Sequence, residues 1–184
     1  LNRDPLDSQA LFSLGVHALQ RGDFARGRQW LLQAHQRSPD DLLVLMTIAS
    51  ASRFLKDRDG EREAIDAVLA RDPYHLPGIL ALGYWLEAHA TLSAAAATFR
   101  NALRVAPPEP QWPDFLREQL RHASELVRRH SLDYEKYLRG KLADLHADLP
   151  AGAQPRWREA VSIFAGRSRP YVADSNQLHV PRLP

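Results

Sequence analysis

The stretch His146-Ala147-Asp148 comes closest, by residue type and spacing, to metal chemistry. A His-x-Asp pair joined by a distal histidine forms the facial triad that holds Fe(II) in non-haem oxygenases. Such a triad needs a strand to carry the pair and a barrel to bring up the third ligand. Here the pair ends a predicted helix just before Pro150, and His179 is the only histidine further along the chain. We therefore expect this chain to hold no metal ion and no catalytic residue.

The other residues that could do chemistry are better explained as surface residues. His122 and His130 lie eight positions apart on one predicted helix, too far to share an ion without a third ligand between them. We expect them to be solvated or to cap helices. The groups Arg128-Arg129 and Arg167–Arg169 could receive a phosphate, but surface ion pairs are the commoner use of such arginines. With no glycine-rich phosphate loop and no suitably spaced nucleophile and base, the sequence indicates no active site.

Composition predicts an ordinary soluble protein. Of 184 residues, 45% are hydrophobic and 25% are charged, and the formal net charge is +2. So small a basic excess, without an aromatic and basic stripe, argues against nucleic-acid binding. The longest uncharged apolar run, residues 42–52, is too short to span a bilayer, and the amino terminus shows no signal peptide. Since cysteine is absent, we expect a cytoplasmic protein. From the short apolar runs and the small basic excess we expect it to engage neither membrane nor nucleic acid.

Three prolines divide the first part of the chain at equal intervals. Pro39, Pro73 and Pro107 follow one another at a constant 34-residue spacing. This is the period of the tetratricopeptide repeat, in which each copy forms two antiparallel helices. Small residues where the helices cross, and bulky residues beside them, recur with the same period. The matching positions are Leu11, Leu14-Gly15, Ala18, Gly27 and Leu31, then Leu45, Ile48-Ala49, Ser52, Glu61 and Ile65, then Ile79, Leu82-Gly83, Leu86, Ala95 and Phe99.

The period predicts an all-α fold, a right-handed tetratricopeptide superhelix of three helix pairs. We place the repeats at residues 7–110, capping or connector helices at 111–166 and an extended tail at 167–184. A helical stretch, "RWREAVSIFAG", ends the capping region at Gly166. In the second repeat Glu61 occupies a position that normally holds a small buried residue, which predicts a shifted or shortened helix there.

The first helix of each repeat is expected to line a concave groove that holds a protein or peptide. Repeats that bind a chaperone's acidic carboxy terminus place lysine, asparagine and arginine in this groove, whereas Phe12 and Val16 stand at its start here. A clamp for two carboxylates therefore lacks its cations. These mostly apolar residues either dock a partner or pack against another part of the same protein. The groove positions are Gln9, Phe12, Ser13, Val16 and Leu19, then Leu43, Met46, Thr47, Ser50 and Arg53, then Leu80, Tyr84 and Glu87.

Several motifs lie beyond the third repeat. They are the double proline Pro107-Pro108, Tyr134-Glu135 with Leu138, Gly166-Arg167 with Tyr171, and the closing "VPRLP". Together they resemble bacterial aspartyl/asparaginyl β-hydroxylase-like proteins. Those proteins carry "PGLP" where this chain has "PRLP", so Arg182 replaces the glycine. The family joins tetratricopeptide repeats, through a helical connector, to a jelly-roll domain that depends on iron and 2-oxoglutarate.

The resemblance implies that this chain is the substrate-recruiting repeat module of such a dioxygenase, with "QLHVPRLP" as the first strand of the catalytic domain. Fe(II) and 2-oxoglutarate would then belong to that domain, because none of the eight histidines here matches the family's two iron ligands. The alternative is a stand-alone tetratricopeptide adaptor whose tail docks on its own helices. A repeat module fused to another transferase is a third, weaker interpretation.

Overall fold

The computed structural model describes residues 7–148, and these are helical throughout apart from turns and short connections. Three antiparallel helix pairs follow one another, and a long seventh helix packs against the last pair. The predicted all-α architecture with three helix pairs is confirmed, and the described residues contain no strand. The helices are α1 (Ser8–Gln20), α2 (Phe24–Arg37), α3 (Leu42–Phe54), α4 (Arg58–Arg71), α5 (Leu76–His89), α6 (Leu92–Val105) and α7 (Asp114–Asp148), with a 3-10 turn at Glu109–Gln111.

All six repeat helices begin at a residue whose side chain accepts a hydrogen bond from a backbone N–H of the first turn. Such a cap satisfies a donor that the helix leaves free and stabilises the helix by about 1 kcal/mol. The caps recur with the same period as the prolines, so both ends of the helices follow the repeat. They are Asp7, Asp41 and His75 for the first helices, and Asp23, Asp57 and Thr91 for the second.

The core of each repeat is one large side chain pressed against one small residue. Leu31, Ile65 and Phe99 occupy the same position in consecutive repeats, and all three are fully buried. A Cβ added at Gly15 would lie 2.7 Å from Leu31 Cγ, and one added at Gly83 would overlap the ring of Phe99. The predicted close helix crossings are therefore present in the first and third repeats.

The core is divided into two hydrophobic clusters. The first, here the amino-terminal cluster, joins the first two repeats and takes in Ala81 of the third. The second, the carboxy-terminal cluster, joins the third repeat to α7 and includes Leu80, Phe99 and Leu120. Leu14 is an exception to the prediction that it fills the space beside Gly15, because it is 45% exposed. It lies on α1, at the end of the stack where no described helix comes before it.

The second repeat is regular, so the predicted shift or shortening of its second helix is wrong. α4 has 14 residues, as α2 and α6 have. Glu61 is indeed buried, but its Oε1 accepts a hydrogen bond from Nε of Arg53 at 2.6 Å. Glu61 also lies in the first turn of α4, where the helix dipole favours a negative charge. These two interactions let a carboxylate replace a small residue without moving the helix.

α7 is one continuous helix over the whole of its described length. Its first half packs on α5 and α6 through Leu116, Leu120, Ala123 and Leu126, all of them buried. From residue 131 to 145 no residue is buried. The predicted helical stretch that ends at Gly166 and the predicted tail at 167–184 lie outside the described residues. Within the described part of the chain, no helix has both the length and the apolar content needed to cross a membrane.

Candidate partner-binding groove

The surface formed by the predicted groove residues of α1 and α3, here called the open groove, is partly accessible. Phe12 and Val16 on α1 and Met46 on α3 are half-buried, and Phe12 and Met46 pack at the edge of the amino-terminal cluster. All three side chains therefore remain partly accessible, and two of them are anchored by the core. An apolar surface fixed in this way is suited to contact with another protein.

Hydroxyl groups interrupt this apolar surface. Ser13 donates to the carbonyl oxygen of Gln9, Thr47 to that of Leu43, and Ser50 to that of Met46, at 2.9, 2.7 and 3.0 Å. Because each hydroxyl proton is already used within its own helix, the oxygen offers a partner only its lone pairs. The hydroxyls of the open groove are therefore hydrogen-bond acceptors.

Arg53 is the cation of the open groove, and it is already engaged. Its side chain is 51% exposed, while its partner Glu61 is almost completely buried. A buried carboxylate that loses its partner is strongly destabilised, so the arginine is held towards α4. Arg53 therefore directs its charge at Glu61, and Phe12 and Val16 on α1 are uncharged.

The third repeat presents a different surface, because α7 lies against it. The Tyr84 ring stacks on the His122 ring with centroids 5.1 Å apart, and Oε2 of Glu87 lies 2.8 Å from Nε2 of His122. Burial raises the pKa of Tyr84, and the negative charges of Glu87 and Glu118 raise it further, against a smaller opposite effect of Arg53. Tyr84 and Glu87 thus pack against another part of the same chain, one of the two alternatives that the sequence left open.

Two predicted groove residues belong to the core instead. Leu80 is fully buried in the carboxy-terminal cluster, so the prediction that it lines an open groove is wrong. Leu19 points towards α2, because a Cβ built on Gly27 would lie 2.6 Å from its Cδ2. The small residue at Gly27 lets α1 and α2 approach, and Leu19 fills the space beside it rather than facing the groove.

Sequence reasoning missed two aromatic contacts at the groove. His122, expected to be solvated or to cap a helix, touches Tyr84, Phe99 and Glu87. Its position four residues before the buried Leu126, on the same face of α7, was the available signal. Phe54 stacks on Phe24 with centroids 4.4 Å apart and is still 64% exposed. It ends α3, and with Phe24 at the start of α2 it forms an exposed aromatic pair.

The His-x-Asp pair lies in the final turn of α7. Among the residues that the structure describes, no group of three or more histidine, aspartate and glutamate side chains could hold a metal ion. The resemblance assigns the iron ligands to the family's catalytic domain, and none of the histidines of residues 1–184 matches them.

Comparison with known proteins identifies the fold. No family model matches the chain, and no curated protein matches it. The tetratricopeptide domain of OM64 from Arabidopsis is 20% identical, covers 67% of this chain and 95% of its own, and has a TM-score of 0.56. The Sgt2 tetratricopeptide domain from Aspergillus fumigatus is 19% identical, with coverages of 82% and 92% and a TM-score of 0.55.

A third similar structure was solved with a ligand. It is the first tetratricopeptide domain of Spaghetti (RPAP3), bound to the HSP90 peptide SRMEEVD. This domain is 16% identical, covers 70% of this chain and 98% of its own, and has a TM-score of 0.54. Similarities at these identities establish the fold and nothing finer. The predicted tetratricopeptide fold is confirmed, and the described chain is an all-α tetratricopeptide-repeat superhelix.

Proposed function

We propose that this chain is a protein-interaction module whose groove over α1 and α3 binds a segment of another protein. The observation that carries the proposal is the partial accessibility of Phe12, Val16 and Met46, of which Phe12 and Met46 pack against the amino-terminal cluster. The solved Spaghetti domain, bound to a peptide, supports a peptide partner for a groove of this kind. Apolar anchors of this size commonly dominate the energy of an interface.

The chemistry of the groove favours an apolar and uncharged partner segment. The peptide bound to Spaghetti carries two glutamates and an aspartate. An acidic peptide of that kind would find one cation in the open groove, and that cation is tied to Glu61. A segment with apolar side chains and free N–H donors suits the groove better, because Ser13, Thr47 and Ser50 present acceptor oxygens.

Peptide selection on the immobilised chain tests this proposal. Panning a random dodecapeptide library should enrich apolar, uncharged sequences and not acidic ones. The enriched peptides should lose about tenfold or more in affinity for Phe12→Ala/Met46→Ala, with unchanged circular dichroism. Phe115→Ala is the matched control, because Phe115 is an exposed aromatic residue on α7. Acidic consensus peptides, or binding that survives the double substitution, would contradict the proposal.

We further infer, from the resemblance of the carboxy-terminal motifs, that the module recruits substrate for an Fe(II)- and 2-oxoglutarate-dependent hydroxylase. The motifs from Gly166 onward that support this lie outside the described residues. A stand-alone adaptor is equally consistent with the fold. The reading frame beyond Pro184 distinguishes the two, since roughly 150–200 further residues with a β pattern would supply the catalytic domain. Residues 1–184 alone should release no succinate from 2-oxoglutarate with Fe(II) and ascorbate, whereas the extended protein should.

A further inference from the structure

One face of the second half of α7 carries charged side chains that have no ionic partner. Elsewhere on this helix, three carboxylates each pair with an arginine three or four residues away. Around Tyr137, by contrast, Arg129, Asp133, Lys141 and Asp144 are all exposed, and no ion pair joins any of them to another residue that the structure describes. The face therefore offers two charges of each sign to a partner.

The same face carries two accessible aromatic rings. Tyr134 and Tyr137 are both more than half exposed, and their rings stack with centroids 6.5 Å apart. An exposed aromatic surface with a charged rim is typical of a contact between proteins. Beside the rings, the surface of the helix has a shallow hollow lined by Asp133, Lys136, Tyr137, Gly140, Lys141 and Asp144.

We propose that this face binds the same face of a second copy of the chain, with the two α7 helices antiparallel about a two-fold axis at Tyr137. Asp133 and Lys141 lie four residues before and after Tyr137, each within about 40° of it around the helix. The axis therefore sets Asp133 of each copy against Lys141 of the other, which gives two ion pairs. It also brings Asp144 of each copy within one position of Arg129 of the other. A parallel pair would instead set each charge against its like.

The charge pattern selects a second copy over the rest of the same chain. A face with two charges of each sign, placed symmetrically about Tyr137, is complementary to itself when reversed. Residues 149–184 instead carry five arginines against one glutamate and one aspartate, so their charges do not match the face. Residues 129–145 amount to about 26 Å of helix. So short a contact is at the small end of interface sizes, and we expect a weak, reversible dimer. The proposal is independent of what the open groove binds.

Sedimentation velocity of the full 184-residue chain at low salt, from about 1 µM to 1 mM, should show a monomer–dimer equilibrium. Asp133→Lys and Lys141→Asp should each weaken the association about tenfold, because each variant sets like charges together. The double variant Asp133→Lys/Lys141→Asp exchanges the two charges and should recover the affinity to within about threefold. Glu135→Lys is the matched control, because it makes the same charge change on the opposite side of the helix and should leave the association unchanged.

A single cysteine tests the position of the axis, since the sequence contains no other cysteine. Tyr137→Cys brings two thiols together at the axis and should form a disulfide-linked dimer on oxidation. A disulfide requires Cα atoms about 4.4–6.8 Å apart, so its formation reports the register. Arg139→Cys is the matched control, because residue 139 lies about 160° away around the helix and should oxidise at least about tenfold more slowly.

Several outcomes would overturn the proposal. A chain that stays monomeric at every concentration would exclude the dimer, and slow reaction of the Tyr137→Cys thiol with a maleimide would then assign the face to another part of the same chain. A dimer that both charge reversals leave unchanged would place the contact on another surface. A double variant that associates no more tightly than the single variants, or equal oxidation of the two cysteine variants, would contradict the antiparallel register.

Discussion

The two ends of the groove have the same repeat positions and opposite surroundings. Met46 and Leu80 occupy the same position in consecutive repeats, yet Met46 is partly accessible and Leu80 is fully buried. Ser50 and Tyr84 likewise share a position, and only Tyr84 is covered, by His122 of α7. The difference indicates that a groove position stays accessible or becomes buried according to the helices that pack against it. The position in the repeat does not decide it alone.

The closed end should depend on α7 for much of its stability. Leu120→Ala removes a fully buried side chain from the carboxy-terminal cluster and should lower the free energy of unfolding by about 2–5 kcal/mol. Leu132→Ala, on the exposed part of α7, is the control and should cost far less. Urea unfolding of both variants measures the difference. Equal losses would mean that α7 does not anchor the third repeat.

Disturbing the close crossing of α5 and α6 in the third repeat should have the next largest effect on stability. Gly83→Leu would force a side chain into the ring of Phe99 and should destabilise the protein by about 1–3 kcal/mol or more. Gly140→Leu is the matched control, because an added Cβ there meets nothing within 4 Å. It should be neutral or stabilise α7 by up to about 1 kcal/mol, since leucine favours helix over glycine. An unchanged thermal midpoint for Gly83→Leu would place the crossing elsewhere.

At the open end, loss of the ion pair between Arg53 and Glu61 should lower the free energy of unfolding by a smaller amount. Arg53→Met leaves the Glu61 carboxylate buried without its partner and should cost about 1–3 kcal/mol. Glu61→Ala, which restores the small residue usual at this position, should recover part of that loss in the double variant. Arg128→Met breaks an exposed pair with Glu125 and should change stability little, as a control. If the double variant is no more stable than Arg53→Met, the buried charge is not the cause.

The smallest expected effect on stability lies at the closed end, at Tyr84. Because the pKa of Tyr84 is raised above its ordinary value of 10.0, the folded state holds the phenol proton more tightly than the unfolded state. The contribution of Tyr84 is therefore complete below about pH 10 and is lost as the pH rises from there towards the folded-state pKa. Tyr84→Phe should lose less stability than the parent between about pH 9.5 and 11. Chemical unfolding across this range measures how the free energy of unfolding of each protein changes with pH. Equal slopes for Tyr84→Phe and the parent would contradict the raised pKa of Tyr84.

The helix pairs could be predicted because their determinants are local and periodic. Gly15 with Leu31, and Gly83 with Phe99, lie within one repeat and recur with the prolines. The burial of Leu80 could not be predicted in the same way. It depends on a contact with α7, which follows the repeats and does not share their pattern.

The accessibility of the predicted groove residues could be predicted only in part. Phe12 and Met46 follow from the repeat register alone, and the structure leaves both partly accessible. Tyr84 and Glu87 follow from the same register, but His122, which lies on α7 well beyond the third repeat, determines their surroundings. Glu61 departs from the repeat pattern without disturbing the helix because Arg53 donates a hydrogen bond to it. The repeat motif does not specify an arginine at position 53, so this partner could not be predicted from the motif.

The division of the core into two clusters affects how binding energy is distributed through the molecule. The open groove rests on the amino-terminal cluster, whereas α7 is held by the carboxy-terminal cluster. In a stack of repeats, each unit is stabilised mainly by its nearest neighbours, and here Leu69 of α4 packs against both clusters. A ligand that binds only the closed form of the first two repeats shifts their opening equilibrium by mass action. The amino-terminal end should therefore stiffen most when occupied, and α7 should stiffen by the smaller amount that α4 and α5 transmit.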